Sequence, residues 1–235
     1  MREFFSGGIT MDVTDGCFRL STDSMVLADF CRIAPGRTVC DLGCGCGTLG
    51  LLLLRSDPSL RVTGVELLPA AADQARKNID ANRLSAQFAV LTGDLREYRT
   101  LLQANTFDAV VSNPPYFPAG SGAVSPEDAR AVARSELCCT PDDLCACAAY
   151  SLRFGGDFFL VHRPERLTDL LCTLRAHRLE PKRLRLVRHC AEADAALVLL
   201  HARLGAKPGL KIEPDLLLFT PDGQETAEYR TIYHH

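Results

Sequence analysis

The chain has 235 residues, 47% of them hydrophobic and 23% charged, with a formal net charge of −3. That length and apolar content suit a single α/β domain with a sizeable core, and the slightly acidic balance excludes a protein that binds nucleic acid through uniform positive charge. The longest apolar runs, such as Leu49–Leu54, fall far short of the ~18–20 residues that span a bilayer, and the first six residues lack the flanks of a signal peptide. A soluble, cytoplasmic protein without membrane contact is expected. The eleven cysteines include no C-x-x-C pair, and the spacings of Cys138, Cys139, Cys145 and Cys147 are not those of a zinc site, so reduced thiols and no metal are expected.

Along the chain, Ile9–Leu20 places a Thr14-Asp15-Gly16 turn between two short extended stretches and predicts a small hairpin ahead of the main fold. Ser21, Thr22 or Asp23 then caps a helix. Apolar runs at Thr38–Leu42, Arg61–Val65, Gln87–Leu91, Phe107–Ser112, Gly156–His162, Lys182–Arg188 and Ala195–Ala202 predict seven strands, with helical patterns in most of the gaps. Such alternation implies a Rossmann-like α/β fold: a mostly parallel sheet with helices on both faces. Only His189–Asp194 joins the last two runs, too few residues for a parallel crossover, so that pair is antiparallel and an antiparallel edge strand is expected. The stretch Leu216–Tyr229 reads as a second hairpin turning at Asp222-Gly223. The expected organisation is one domain: residues 1–35 as hairpin and helix, 36–204 as core, 205–235 as a C-terminal extension.

Asp41, Gly43, Gly45 and Gly47 form D-x-G-x-G-x-G at the end of the first core strand, and Gly45–Gly50 also spells G-x-G-x-x-G. Glycines there let the backbone approach a nucleoside closely. Glu66 ends the next strand, where a carboxylate accepts hydrogen bonds from ribose hydroxyls, and Asp94 ends the third, within reach of an adenine amino group. A dinucleotide would set its pyrophosphate on the helix N-terminus, and Asp41 opposes that charge. S-adenosylmethionine has no phosphate and carries an ammonium and a sulfonium, which suit nearby carboxylates. A nicotinamide-dependent oxidoreductase stays as an alternative, although no Ser–Tyr–Lys or His–Asp pattern is placed to serve it.

The fourth strand ends in Asn113-Pro114-Pro115-Tyr116. Each proline holds the residue before it extended, which fixes two acceptors, the Asn113 side-chain oxygen and the Pro114 carbonyl, at the sheet edge. A planar amine whose two N–H groups are accepted there turns its lone pair towards a methyl donor, and no general base is needed. Tyr116 offers a flat face for a base. Adenine N6, guanine N2 and a glutamine amide all satisfy this chemistry.

The motifs "DLGCGCG", "GVE", "GDL" and "NPPY", in this order, resemble those of class I S-adenosylmethionine-dependent methyltransferases of the N-P-P-Y branch. "GCFRLSTDSMVLADF", "ARSE" and the ending "GLKIEPDLLLFTPDGQETAEYRTIY" are similar to the bacterial tRNA(Val) adenine-N6 methyltransferase family, which modifies the adenine 3′ of the anticodon. The resemblance implies that Asp41, Gly43, Gly45 and Gly47 hold the methionine part of the cofactor, that Glu66 takes its ribose and Asp94 its adenine, and that Asn113, Pro114, Pro115 and Tyr116 hold the target amine. Asn113 also borders the cofactor, and Thr22 and Asp23 lie in the segment that runs over it. The chain has no room for the additional domains of the glutamine, DNA and ribosomal-guanine enzymes, so an RNA loop with an already unstacked base is the expected substrate. Eight basic residues against three acids between Arg163 and Arg188 give a local balance of +5. Lys182, Arg183 and Arg185 there, with Arg130 and Arg134 in the loop after Tyr116, are the candidate tRNA contacts; the same basic run also fits a solvated helix face and strand edge.

Overall fold

The structure is a computed structural model and describes residues 2–4, 9–12, 21–114 and 139–234. Its centre is a nine-stranded sheet. The strands β3 (Thr38–Leu42), β4 (Arg61–Glu66), β5 (Phe88–Thr92), β6 (Phe107–Ser112) and β7 (Leu152–His162) run parallel to one another. Beyond β7 come β9 (Ala195–Leu204) and then β8 (Leu179–Arg188), with β9 antiparallel to both neighbours. The two-residue strands β10 (Lys211–Ile212) and β11 (Leu216–Leu217) pair with β8 on its outer side. The antiparallel strand expected at the edge therefore lies inside it: the short connection returns β9 between β8 and β7, and β8 takes the outer place.

Two apolar clusters cover the two faces. Alternate residues of β3 divide between them, Val39 to one and Cys40 and Leu42 to the other, as the two-residue repeat of a strand requires. The first cluster holds α1 (Thr22–Phe30), α2 (Thr48–Ser56) and the end of α3 (Pro69–Ala81); the second holds α5 (Pro141–Ser151) and α6 (Leu167–Ala176), beside the short α4 (Tyr98–Leu101). From β3 the chain steps outward through β4 to β5, whereas from β6 it steps the other way to β7. The carboxyl ends of β3 and β6 thus flank the point where strand order reverses, the place where open α/β sheets hold ligands. Ser112 ties those ends together, its hydroxyl donating to the Leu42 carbonyl at 2.8 Å.

An N-terminal hairpin forms upstream of the expected turn. Its strands are β1 (Arg2–Phe4) and β2 (Thr10–Asp12); the turn expected at Thr14–Gly16 lies outside the described residues. Two asparagines four residues apart, Asn78 in the last turn of α3 and Asn82 at its C-cap, dock β2. The Asn82 side chain accepts from Thr10 N at 2.9 Å and donates to Thr10 O at 2.7 Å. Asn78 does the same for Asp12, at 3.0 and 3.1 Å. Every second residue of an extended strand thus meets a side-chain amide spaced at four helical residues, about 6–7 Å in each case. Met11, between them, is fully buried. At the other end, the turn at Asp222-Gly223 forms, with Gly223 N bonded to Thr220 O at 2.9 Å, but only the bridge Phe219–Glu225 extends it. The returning arm is helix α7 (Ala227–His234), because the Thr226 hydroxyl caps it by accepting from Tyr229 N at 3.1 Å.

Asn82→Ala removes both bonds to Thr10 and leaves a partly buried backbone pair unmatched. The expected loss is about 1–3 kcal/mol of stability by chemical denaturation, with faster proteolytic removal of the first twelve residues. An unchanged midpoint and unchanged cleavage would mean that the hairpin is held by other contacts.

Candidate active site

The turn between β3 and α2 is built on left-handed backbone. Gly43 and Gly45 have φ of 74° and 54°, conformations costly for a side-chain-bearing residue, and a Cβ on either would meet nothing within 4 Å. These two glycines therefore serve an open space above the sheet edge. Gly50 is of the opposite kind: a Cβ there would come within 2.4 Å of the Phe88 ring, so it lets α2 pack closely on the sheet. The single string G-x-G-x-x-G holds two different physical requirements.

Glu66 closes the turn. Its Oε2 accepts from Gly45 N and its Oε1 from Leu68 N, both at 2.8 Å, and the residue is only 8% exposed. Leu67 and Leu68 beside it are exposed apolar residues. Asp41, the first residue of the D-x-G-x-G-x-G motif, lies in β3. It is 1% exposed and accepts from Gly50 N at 3.2 Å, so it braces β3 against α2. Burial is the main cause that pushes its carboxyl up to about 7, with the Glu66 charge adding to it and the Gly50 amide opposing. Asp94, after β5, caps a short 3-10 helix through Arg96 N at 2.9 Å and is paired with the Arg96 guanidinium, which holds its carboxyl below the usual range. Asp94 can accept from a ligand once Arg96, half-exposed, swings aside.

At the end of β6, Asn113 Nδ2 donates to the hydroxyl of Ser24 at 3.0 Å, and among the described residues nothing donates to its Oδ1. Pro114 follows it; Pro115 and Tyr116 lie outside the described residues, as do Arg130 and Arg134. Thr22 and Asp23 stand in the first turn of α1, whose cap is Ser21, but the α1 residue that meets Asn113 is Ser24. Ser24 carries no motif signal; it is a buried serine at the head of the apolar run Met25–Leu27. His162, ending β7, is buried and neutral: burial pushes it down to about 4, and its Nδ1 accepts from Arg163 N at 2.8 Å.

Most of the basic segment is paired within the chain. Arg183 pairs with Glu213 at 2.8 Å, with 14% and 9% of the two side chains exposed, and its guanidinium lies 4.2 Å from the Phe30 ring centre. Arg185 pairs with Glu228 at 2.8 Å and donates to Pro214 O. Arg166, Arg175 and Arg188 pair with Asp169, Glu180 and Asp215. Lys182 donates to Lys207 O at 3.1 Å. Arg183 and Arg185 are thus engaged within the chain, by acids 30 and 43 residues away that escape a local charge count.

Among the described residues no three or more His, Cys, Asp or Glu are placed to hold a metal, and no helix is long and apolar enough to cross a membrane. Burial pushes the thiols of Cys145 and Cys147 up to about 12, which makes them protonated core residues. Cys46, in the glycine turn, is disulfide-bonded, against the expectation of reduced thiols.

Residues 19–168 match the methyltransferase small domain. The chain belongs to that family. It is 33% identical over 220 residues to a tRNA1(Val) (adenine(37)-N6)-methyltransferase of Cronobacter sakazakii, covering 92% of this chain and 86% of that protein. The enzyme of the same name from Porphyromonas gingivalis is 32% identical over 76% of this chain and 71% of its own. Among solved structures, a predicted O-methyltransferase of Agrobacterium tumefaciens superposes with a TM-score of 0.75 at 21% identity, covering 90% of this chain and 95% of that one. The small-domain methyltransferase thus places its turn, Glu66, Asp94 and Asn113 along one edge of the sheet.

Asp41 ionises near 3.8 in an unfolded chain but keeps its proton to about 7 in the fold. The folded state binds more protons in that window, so this group's contribution to stability is full below pH ~4 and is lost as pH rises through ~7. Asp41→Asn still offers an oxygen to Gly50 N and cannot ionise. Between pH 5 and pH 8 the variant should gain on the order of 2 kcal/mol relative to the native chain in paired denaturation curves. Parallel curves would show that Asp41 is ionised throughout.

Proposed function

We propose that this chain transfers a methyl group from S-adenosylmethionine to N6 of an adenine in the anticodon loop of a tRNA. The observation that carries the reading is Asn113, held at the carboxyl end of β6 with its Nδ2 tied back to the protein and its Oδ1 left to accept. The names of the two enzymes similar over most of this chain support the choice of tRNA and of adenine.

The donor set fits the cofactor. The open space at Gly43 and Gly45 admits its methionine part, and the Glu66 carboxylate, already an acceptor of two amides, has lone pairs left for ribose hydroxyls. Leu67 and Leu68 give an apolar side to the adenine, whose amino group Asp94 accepts. Asp41 acts from below, by holding β3 and α2 in register. When bound, the cofactor supplies an electrophilic methyl on its sulfonium.

Asn113 Oδ1 and the Pro114 carbonyl take the two N–H groups of the target amine, which draws the nitrogen out of conjugation with its ring and aims its lone pair. Tyr116 stacks on the base, and its contribution is expected at ~1–3 kcal/mol. Arg130 and Arg134 are the proposed phosphate contacts.

Two substitutions separate binding from chemistry. Glu66→Ala should weaken S-adenosylmethionine by about 1–3 kcal/mol in calorimetry through loss of charge-assisted hydrogen bonds. Asn113→Ala should lower kcat roughly 10²-fold while cofactor affinity stays nearly intact. The product is identified by mass spectrometry of nucleosides from treated tRNA, where N6-methyladenosine is expected. Methylation of a glutamine-containing peptide in place of tRNA would overturn the substrate, and wild-type turnover of Asn113→Ala would overturn the mechanism.

A further inference from the structure

We infer that Ser24 is a positioning residue for catalysis: its hydroxyl holds the Asn113 carboxamide in the one orientation that presents an acceptor to the substrate amine. This inference rests on the proposed role of Asn113. The two ends of a carboxamide are nearly the same shape, and an unanchored asparagine turns over about its last torsion at little cost. With Oδ1 towards the target, the amine N–H is accepted. With Nδ2 there, donor would face donor, and the same side chain would repel the substrate it should hold.

The anchor is well made. Ser24 Oγ accepts from Asn113 Nδ2 at 3.0 Å across 89 residues of chain. Ser24 is 6% exposed, on a helix packed against α2 and the sheet. Ser21, the cap of α1, accepts from Ser24 N at 3.3 Å. A hydroxyl could serve either end of the amide, since it both donates and accepts. The Ser21 hydroxyl donates to Ser24 Oγ at 3.5 Å, and the second lone pair of Ser24 Oγ is the one that takes Asn113 Nδ2.

The test uses the full chain with S-adenosylmethionine and tRNA. Ser24→Ala should lower kcat about 10-fold, with the cofactor KM and thermal midpoint close to those of the native protein. Ser24→Thr, which keeps the hydroxyl, should restore most of the rate. The deciding measurement is Ser24→Ala in an Asn113→Asp background. A carboxylate has two acceptor oxygens and no wrong way round, so Ser24→Ala should cost nothing further there. An equal loss in both backgrounds, or no recovery with Ser24→Thr, would make Ser24 a packing residue and overturn the inference. Native kcat in Ser24→Ala beside a disabled Asn113→Ala would overturn it while leaving the amine-acceptor reading intact; a fully active Asn113→Ala would instead remove the reading on which it rests.

Discussion

Two backbone amides, those of Gly45 and Leu68, converge on the carboxylate of Glu66, and the corner of the molecule that holds the site depends on that convergence. One amide belongs to the turn after β3 and the other to the entry into α3, so a single side chain at the end of β4 sets the path of both neighbouring connections. The charge is met by amide dipoles before any ligand arrives. Asp41 stands close enough to feel it, yet burial keeps the Asp41 proton to about 7. Near neutral pH the corner is thus short of two full negative charges. The two acids divide the labour, Asp41 bracing β3 against α2 and Glu66 joining the glycine turn to the entry into α3, and this suits a cationic nucleoside better than a pyrophosphate.

Amide side chains do most of the joining around this corner. Asn78 and Asn82 bind both the donor and the acceptor of alternate β2 residues, and Asn78 also donates to Cys46 O in the glycine turn at 3.0 Å. Asn113 is joined in turn to α1. A carboxamide carries a donor and an acceptor side by side, as a peptide group does, and can complete backbone that has no strand partner without importing charge. The hairpin, the glycine turn and the end of β6 are therefore coupled through neutral groups, and the site keeps its charge for the ligand.

The strands were legible because buried parallel strands are short apolar runs with sharp polar ends, and β3 and β6 match their sequence runs residue for residue. The site residues at strand ends were legible for the same reason: once the strand is known, Glu66, Asp94 and Asn113 occupy its last turn of chain. What escaped was whatever depends on a partner remote in sequence. The place of β9 inside the sheet follows from which side of β8 it returns on, and a six-residue connection does not encode that. Ser24 and Asn78 are polar residues within helices, unremarkable until Asn113 and Asp12 are brought against them.

The charge pattern near residue 183 illustrates the same limit and leads to a structural role for the C-terminal extension. Its acids Glu213, Asp215 and Glu228 meet Arg183, Arg188 and Arg185, so the basic edge strand β8 serves as the dock for the segment that follows β9. Burying the Arg183–Glu213 pair is costly unless the remaining donors are satisfied. They are: Arg183 also donates to Phe30 O and lies over the Phe30 ring, which packs edge-on against Phe159 at 6.4 Å. Phe30 is the last residue of α1, the helix whose first turn carries Ser24. The extension thus holds one end of α1 while the other holds Asn113, so that the charges at this edge fix the helix on which the Asn113 side chain rests.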